Sequence, residues 1–334
     1  MPMISIGDLA QTFLLRRQNT DLKAGLQRLT TELSTGTAVD IGRHIGGDYS
    51  ALAGLDVSLS RLQGFKSTTS EAALLSGAMQ TVLGTVEGMT STLGSALLAT
   101  SNSVNPTQVN AIGSEARQKL ASAMALFNTE ISGRSLFAGT ATDGPAVIDV
   151  EALLTTLDTE IIGATTAFDV ESRVNAWFQA PTGYSTAGYL GGGPFSPIPI
   201  APGETVGLDI TAADAGIRDT IKGLAMAAML DRGALAGNTQ ARSELARLAG
   251  ESLINSQGSR TDLAARLGTA EGQIEAATIR NGAETSTLQI ARTGITAVDP
   301  YETASKLEAT RQQLETLYAL TARISRLSLV DFLR

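Results

Sequence analysis

Residues 75–97 read Leu75-Ser-Gly-Ala-Met79-Gln-Thr-Val82-Leu-Gly-Thr-Val86-Glu-Gly-Met89-Thr-Ser-Thr-Leu93-Gly-Ser-Ala-Leu97. The apolar positions advance by steps of four and three, which places them on one narrow face of an α-helix. Upstream, Leu52, Leu55, Leu59 and Leu62 keep the same spacing. One helix of about fifty residues carries both stripes, far beyond the usual three or four turns. A helix that long cannot cover its own seam, so the stretch predicts a bundle or a fibre-like layer of long helices.

Working outward, the next helix opens at Asn105-Pro106-Thr107-Gln108. Asn105 suits the N-cap, Pro106 the first helical position, and Gln108 the reciprocal place of a capping box. Val109, Ile112, Ala116, Leu120, Met124, Phe127 and Ile131 follow on one face, and Gly133 is expected to end the helix. Toward the N-terminus, Ile6, Leu9 and Phe13 form one short stripe and Leu22, Leu26, Leu29 and Leu33 another. These stripes are as narrow as a coiled-coil seam. Residues 34–47 hold four glycines and read as a loop. On the far side, a helix restarts near Asp214 with Ile217, Ile221 and Leu224 inward. Another begins after Asn238 and is expected to run to about Ile295, with Leu263, Leu267, Ala270 and Ile274 on its seam. The last helix follows Asp299-Pro300 and carries Leu307, Leu314, Leu317, Leu320, Ile324 and Leu327.

The middle is different. Six of the nine prolines lie between Pro145 and Pro202, together with Gly191-Gly192-Gly193 and six of the fourteen aromatic residues. Val206, Leu208 and Ile210 alternate with polar residues or glycine, a strand signal, and Ala146–Val150 is a weaker one. The chain reads as helical arm, compact insert, helical arm. Trp177, Phe178 and Tyr184 read as the insert's own small core; the competing reading is a secreted enzyme or binding module with a carbohydrate or adhesive surface there.

Charge follows the same division. Residues 1–140 carry 10 basic and 10 acidic side chains, residues 141–220 carry 2 and 11, and residues 221–334 carry 13 and 12, so 0 − 9 + 1 gives the net −8. Near-neutral arms suit close packing of identical subunits, and the acidic insert is expected on an outer, solvated surface. The negative balance argues against nucleic-acid binding.

Chemistry is scarce. There is no cysteine and one histidine, His44, so no thiol nucleophile and no Cys/His zinc site can form. His44 reads as a surface loop residue. Gly191-Gly192-Gly193-Pro194 lacks the Gly-Lys-Ser/Thr of a phosphate loop, and no Gly-x-Ser-x-Gly elbow is present. The sequence therefore predicts no catalytic residue, no cofactor and no metal. Met1–Asp8 lacks the basic and apolar regions of a signal peptide, and no apolar run approaches the roughly 18–20 residues of a membrane span. The expectation is a chain that stays in the cytosol or leaves without a cleaved signal, and is not inserted in a membrane.

The last helix resembles a known signature. Its run from Leu307 to Leu333 contains Gln313-Leu314, Tyr318, Arg323-Ile324 and Leu327-Ser-Leu329 before Phe332-Leu333. It is similar to the C-terminal signature of the bacterial flagellin superfamily. Leu29-Thr-Thr-Glu-Leu-Ser-Thr-Gly36 resembles that superfamily's Leu-[Ser/Ala]-[Ser/Thr]-Gly segment. A further motif, Gly133-Arg-Ser-Leu136-Phe137-Ala138-Gly139, is similar to the Gly-x-x-[Leu/Ile]-Phe-[Ala/Gly]-Gly motif of the hook-associated protein 3 family, and Val298–Glu302 is loosely similar to that family's lead-in to its last helix. One departure is clear: the Ser-Asp-Asp-Pro-like element of many relatives is replaced by Asp40-Ile-Gly-Arg-His-Ile-Gly-Gly-Asp48.

The resemblance implies a mainly α fold: a long-helix bundle with paired N- and C-terminal coiled-coil helices and a small β-containing insert. It implies an N-terminal coiled-coil arm over 1–40, a helical rod domain over 41–140 and 214–296, an outer α+β or β-rich insert over 141–213, and a C-terminal coiled-coil helix over 297–334. It further implies a structural protein of the hook–filament junction, or alternatively flagellin itself, exported through the flagellar type III apparatus with a chaperone. Such a protein assembles as a ring with copies of itself, on hook-associated protein 1 and against flagellin, outside the cell. The assembly surface would be the terminal stripes: Ile6, Leu9, Phe13, Leu22, Leu26, Leu29 and Leu33, with Leu307, Leu314, Leu317, Leu320, Ile324 and Leu327.

Overall fold

The computed structural model describes the backbone of residues 6–101 and 105–332, and the side chains of residues 10–101 and 105–324. The fold is a mainly α bundle of long helices with two small hairpins. It divides into a terminal unit, residues 1–62 with 283–334, and a central unit, residues 63–282.

In the terminal unit, α1 (Ile6–Thr35) packs along α10 (Pro300–Phe332). The unit also holds a one-turn helix α2 (Ile41–His44), the start of α3 (Ser50–Ser101) and the end of α9 (Gln257–Thr296). The chain leaving α1 pairs with the chain entering α10: the Ala38 amide donates to the Thr296 carbonyl at 2.9 Å, and the Val298 amide to the Gly36 carbonyl at 3.1 Å. Gly36 turns at φ +71°, a left-handed conformation that suits glycine. Asp299 starts α10 by accepting from the amides of Tyr301 at 2.8 Å and Glu302 at 3.1 Å. Arg292 reaches Asp56 at 2.8 Å, tying α9 to α3 within this unit. Residues 34–47, expected as a loop, contain α2, because Asp40 caps it by accepting from the Arg43 amide at 3.0 Å.

The central unit is built on the rest of α3, whose 52 residues match the fifty-residue expectation. Met79, Val86, Leu93 and Leu97 on its seam are no more than 1% exposed. They share one continuous buried core with residues of α4 (Pro106–Phe127), α7 (Ala215–Ala228), α8 (Thr239–Asn255) and α9. Asn105 caps α4 with Pro106 inside, but its side chain accepts from Thr107, and no capping box with Gln108 forms. The helix ends at Phe127 rather than Gly133. Ile131 lies instead in β1 (Glu130–Ile131), which pairs antiparallel with β2 (Arg134–Ser135). Ser132 at φ 53° and Gly133 at φ 75° make the two-residue turn between them, as a type I′ hairpin requires.

Between the helical arms, residues 141–213 fold as α5 (Val150–Glu160), α6 (Ala167–Gln179), a π-helical turn at Tyr184–Gly188, and a hairpin of β3 (Ile198–Ala201) with β4 (Glu204–Val206). The strand read over Val206–Ile210 stops at Val206, and Ala146–Val150 contributes only one bridge, Val147 to Tyr189. Trp177, Phe178 and Tyr184 do pack together, with Phe178 stacked on Tyr184 at 5.2 Å. They are not a separate core, however. They belong to the same buried cluster as the α3 and α7 seams.

The helix expected from Asn238 to Ile295 is two helices, α8 and α9, meeting at Ser256. The reason is tertiary. Arg260 is 4% exposed and donates to Glu87 of α3 at 2.5 Å, to Ser256 Oγ at 2.6 Å, to Thr220 of α7 at 3.2 Å and to the Leu253 carbonyl at 3.2 Å. The carbonyl freed where the helix breaks is thereby satisfied by a buried guanidinium.

The acidity of the insert is not simply solvated. Glu151 pairs with Arg117 at 2.6 Å and Arg232 at 3.1 Å, Asp158 with Arg232 at 2.5 Å, Asp209 and Asp214 with Arg266 at 2.8 and 3.3 Å, and Glu204 with Arg280 at 2.5 Å. Four carboxylates of the insert, and Asp214 just beyond it, thus face arginines of the flanking segments.

Candidate functional site

Two places hold the residues singled out from the sequence: the terminal helix pair and the segment 133–139. Among the described apolar residues of α1 and α10, only Leu29 (6%) and Leu317 (9%) are buried, with the polar Thr303 beside them in that class at 5%. Leu22, Leu26, Leu307, Leu314 and Ile324 are half-buried. Leu33, Leu320 and Phe13 are exposed at 37%, 49% and 68%. The side chains of Ile6, Leu9 and Leu327 lie outside the described residues. Two helices meet along one line, so a stripe wider than that line stays in water unless something else covers it.

Sequence reading missed Leu14, 57% exposed, and Tyr318, 44% exposed, which extend the apolar surface past the seven-residue pattern. A shallow cleft of about 410 Å³ runs between the helices, lined by Leu22, Leu317 and Leu320 with Gln18, Asp21, Gln313 and Thr316. Every described ion pair on these helices is internal to one of them: Arg17–Asp21, Arg28–Glu32, Glu302–Lys306 and Arg311–Glu315. Between the helices, the Lys23 ammonium lies 6.0 Å from the Tyr318 ring centre. Such pairs and contacts are worth little at an exposed surface, so the helix pair rests on partial apolar burial.

The 133–139 segment is the opposite case. Leu136, Phe137 and Ala138 are 1%, 0% and 0% exposed. Phe137 meets Phe127 of α4 edge to face, with ring centres 5.6 Å apart. The Phe137 carbonyl accepts from the Ala212 amide at 2.9 Å, the Ala138 carbonyl from the Gly192 amide at 2.8 Å, and the Gly193 carbonyl from the Thr140 amide at 2.8 Å. Gly139 holds φ +57°, and a Cβ there would stand 2.2 Å from the Gly193 carbonyl oxygen. The triple glycine is thus a backbone partner of the motif. Tyr189 locks the same turn by donating to the Gly192 carbonyl at 2.6 Å, and Tyr184 donates to the Ala212 carbonyl at 2.8 Å. Burial pushes the Tyr184 phenol far above its ordinary range, so it stays a donor at any physiological pH.

His44 ends α2 beside Asp40, Asp299 and Lys306, and no group of His, Asp or Glu able to hold a metal occurs among the described residues. No described helix is long and apolar enough to cross a membrane.

Residues 256–333 match the family model described as the bacterial flagellin C-terminal helical region. No curated protein matches the sequence. A solved structure described as a flagellar hook-associated protein from Vibrio parahaemolyticus is similar at 16% identity and TM-score 0.48, covering 72% of this chain and 94% of that one. The match over residues 256–333 includes the last helix, on whose residues the resemblance to the flagellin superfamily rests.

Proposed function

We propose that the chain is the junction protein that joins the flagellar hook to the filament. The observation that carries this reading is the apolar surface of α1 and α10, which one subunit leaves half open and which neighbouring copies would complete. The Gly133–Gly139 motif supports the hook-associated protein 3 branch over flagellin. In this reading the subunits form a ring, with hook-associated protein 1 on one side and flagellin on the other. The chain travels through the type III export apparatus with a chaperone and acts outside the cell. Its work is side-chain packing between two lattices, so it needs no cofactor and performs no catalysis.

Immunogold labelling of intact flagella tests the proposal. One narrow band between hook and filament is the expected result. Label along the whole filament would instead select flagellin, the bulk subunit, which remains the second reading because it shares the same termini.

A further inference from the structure

The β1–β2 hairpin contains a polar atom that the fold leaves without a partner. Ser135 is 1% exposed. Its amide donates to the Thr142 carbonyl at 2.9 Å, but its hydroxyl has no hydrogen-bond partner among the described residues. A buried hydroxyl is normally paired, with protein or with ordered water.

The residue lines a cavity of about 70 Å³. Leu75 and Met79 of α3, Leu136, Ile198 and Leu208 supply apolar walls, and Arg134 and Ser196 supply polar ones. Phe195 completes the lining, and the Arg134 guanidinium lies 5.6 Å from its ring centre while donating to Glu71 at 2.5 Å. Size and chemistry together select the occupant. A water molecule takes about 30 Å³ of liquid, whereas cavities that bind benzene are nearer 150 Å³. A wholly apolar cavity of this size would stay dry, but a lining that includes a buried, unpaired hydroxyl together with Arg134 and Ser196 offers the two or more partners that hold a water in place.

We propose that Ser135 anchors a buried water site, in which one ordered water bonds the Ser135 hydroxyl and a second polar group of the Arg134–Ser196 side. The water links the strand that begins the 133–139 motif to the 194–198 segment. A crystal structure of the full chain, at a resolution that shows ordered water, tests this directly. The expected result is a solvent peak about 2.5–3.0 Å from Ser135 Oγ. Ser135→Ala should remove that peak and lower the melting temperature by roughly 2–4 °C, the shift expected for one hydrogen bond in a domain of this size. Absence of the peak in the unaltered protein overturns the proposal. So does a higher melting temperature in Ser135→Ala, because that would mean a bare hydroxyl had been relieved.

Discussion

The α3 seam and the terminal stripes share one sequence rhythm and have opposite fates. Leu75 to Leu97 and Leu314 to Ile324 both step by threes and fours, yet Leu93 and Leu97 are 0% exposed while Leu320 is 49% exposed. The difference lies in what surrounds each helix. In the central unit, the α3 seam is buried in one core shared with the other helices of that unit. In the terminal unit, α1 and α10 have chiefly each other. Spacing therefore reports which face is apolar, and the number of partners within the chain decides whether that face is finished by folding or left for assembly.

The sharpest way to break this comparison is to strike the closed region. Phe137→Ala removes a fully buried ring that contacts Phe127 and should lower the stability of the central unit by about 4 kcal/mol. Chemical denaturation checks it, and a loss below about 1 kcal/mol would mean that the motif is not part of the core. Arg260→Ala comes next. It leaves Glu87 without its buried partner and should cost about 3 kcal/mol. Pairing Arg260→Met with Glu87→Leu should recover most of that loss, since two apolar groups leave no orphaned charge. Failure to recover would assign the node's value to the hydrogen bonds at Ser256 and Leu253 instead.

Hydrogen exchange measures the two regions side by side. Amides of residues 302–324 in the isolated protein should exchange roughly a hundredfold faster than those of residues 75–97, because local opening there exposes little buried apolar surface. Equal protection would mean that the terminal pair is finished without neighbours. Acid acts on a smaller scale. Asp169 accepts from the Thr166 amide in the α6 capping box, and bonding to the Thr166 side chain, followed by the backbone amides, holds its carboxyl below the ordinary value of 3.8. A lowered folded value means the cap contributes above the unfolded carboxyl's range and is lost as pH falls through the folded one. Carbon-detected NMR of the Asp169 carboxyl should show a midpoint below 3.8, and a midpoint at or above it would count against the capping box.

How much could be read in advance divides along similar lines. Helix starts at Asn105-Pro106, Asn238 and Asp299-Pro300 were legible because a cap is a local hydrogen bond between near neighbours. The break at Ser256 was not, because it depends on Arg260 meeting Glu87, a residue 173 positions away. Gly133 looked like a helix end because glycine marks a left-handed residue without saying whether a helix or a hairpin needs it. The −9 of residues 141–220 looked like free surface charge for the same reason as the Ser256 break: Arg117, Arg232, Arg266 and Arg280 reach it only through the fold. Of the candidate site, the apolar face of each terminal helix was visible in the spacing, while its incomplete burial in one subunit was implied only by the family resemblance, since pattern carries no count of partners.

The smallest expected effect on the isolated chain is also the one that bears most on function. Leu320 is half exposed beside the α1–α10 cleft, so Leu320→Ala should change monomer stability by less than about 0.5 kcal/mol. Leu317, at 9% exposure, should cost more as Leu317→Ala, about 1–2 kcal/mol, because part of its burial is already complete within one subunit. If the open part of the stripe is closed by neighbouring copies, Leu320→Ala should nonetheless weaken assembly clearly, and Leu320→Asp should abolish it with the central unit intact, since an unpaired carboxylate would have to be buried between subunits. Sedimentation of mixed subunits and a motility assay read both variants. Normal assembly by Leu320→Asp would show that the exposed half of the stripe faces water in the finished structure as it does in the single chain.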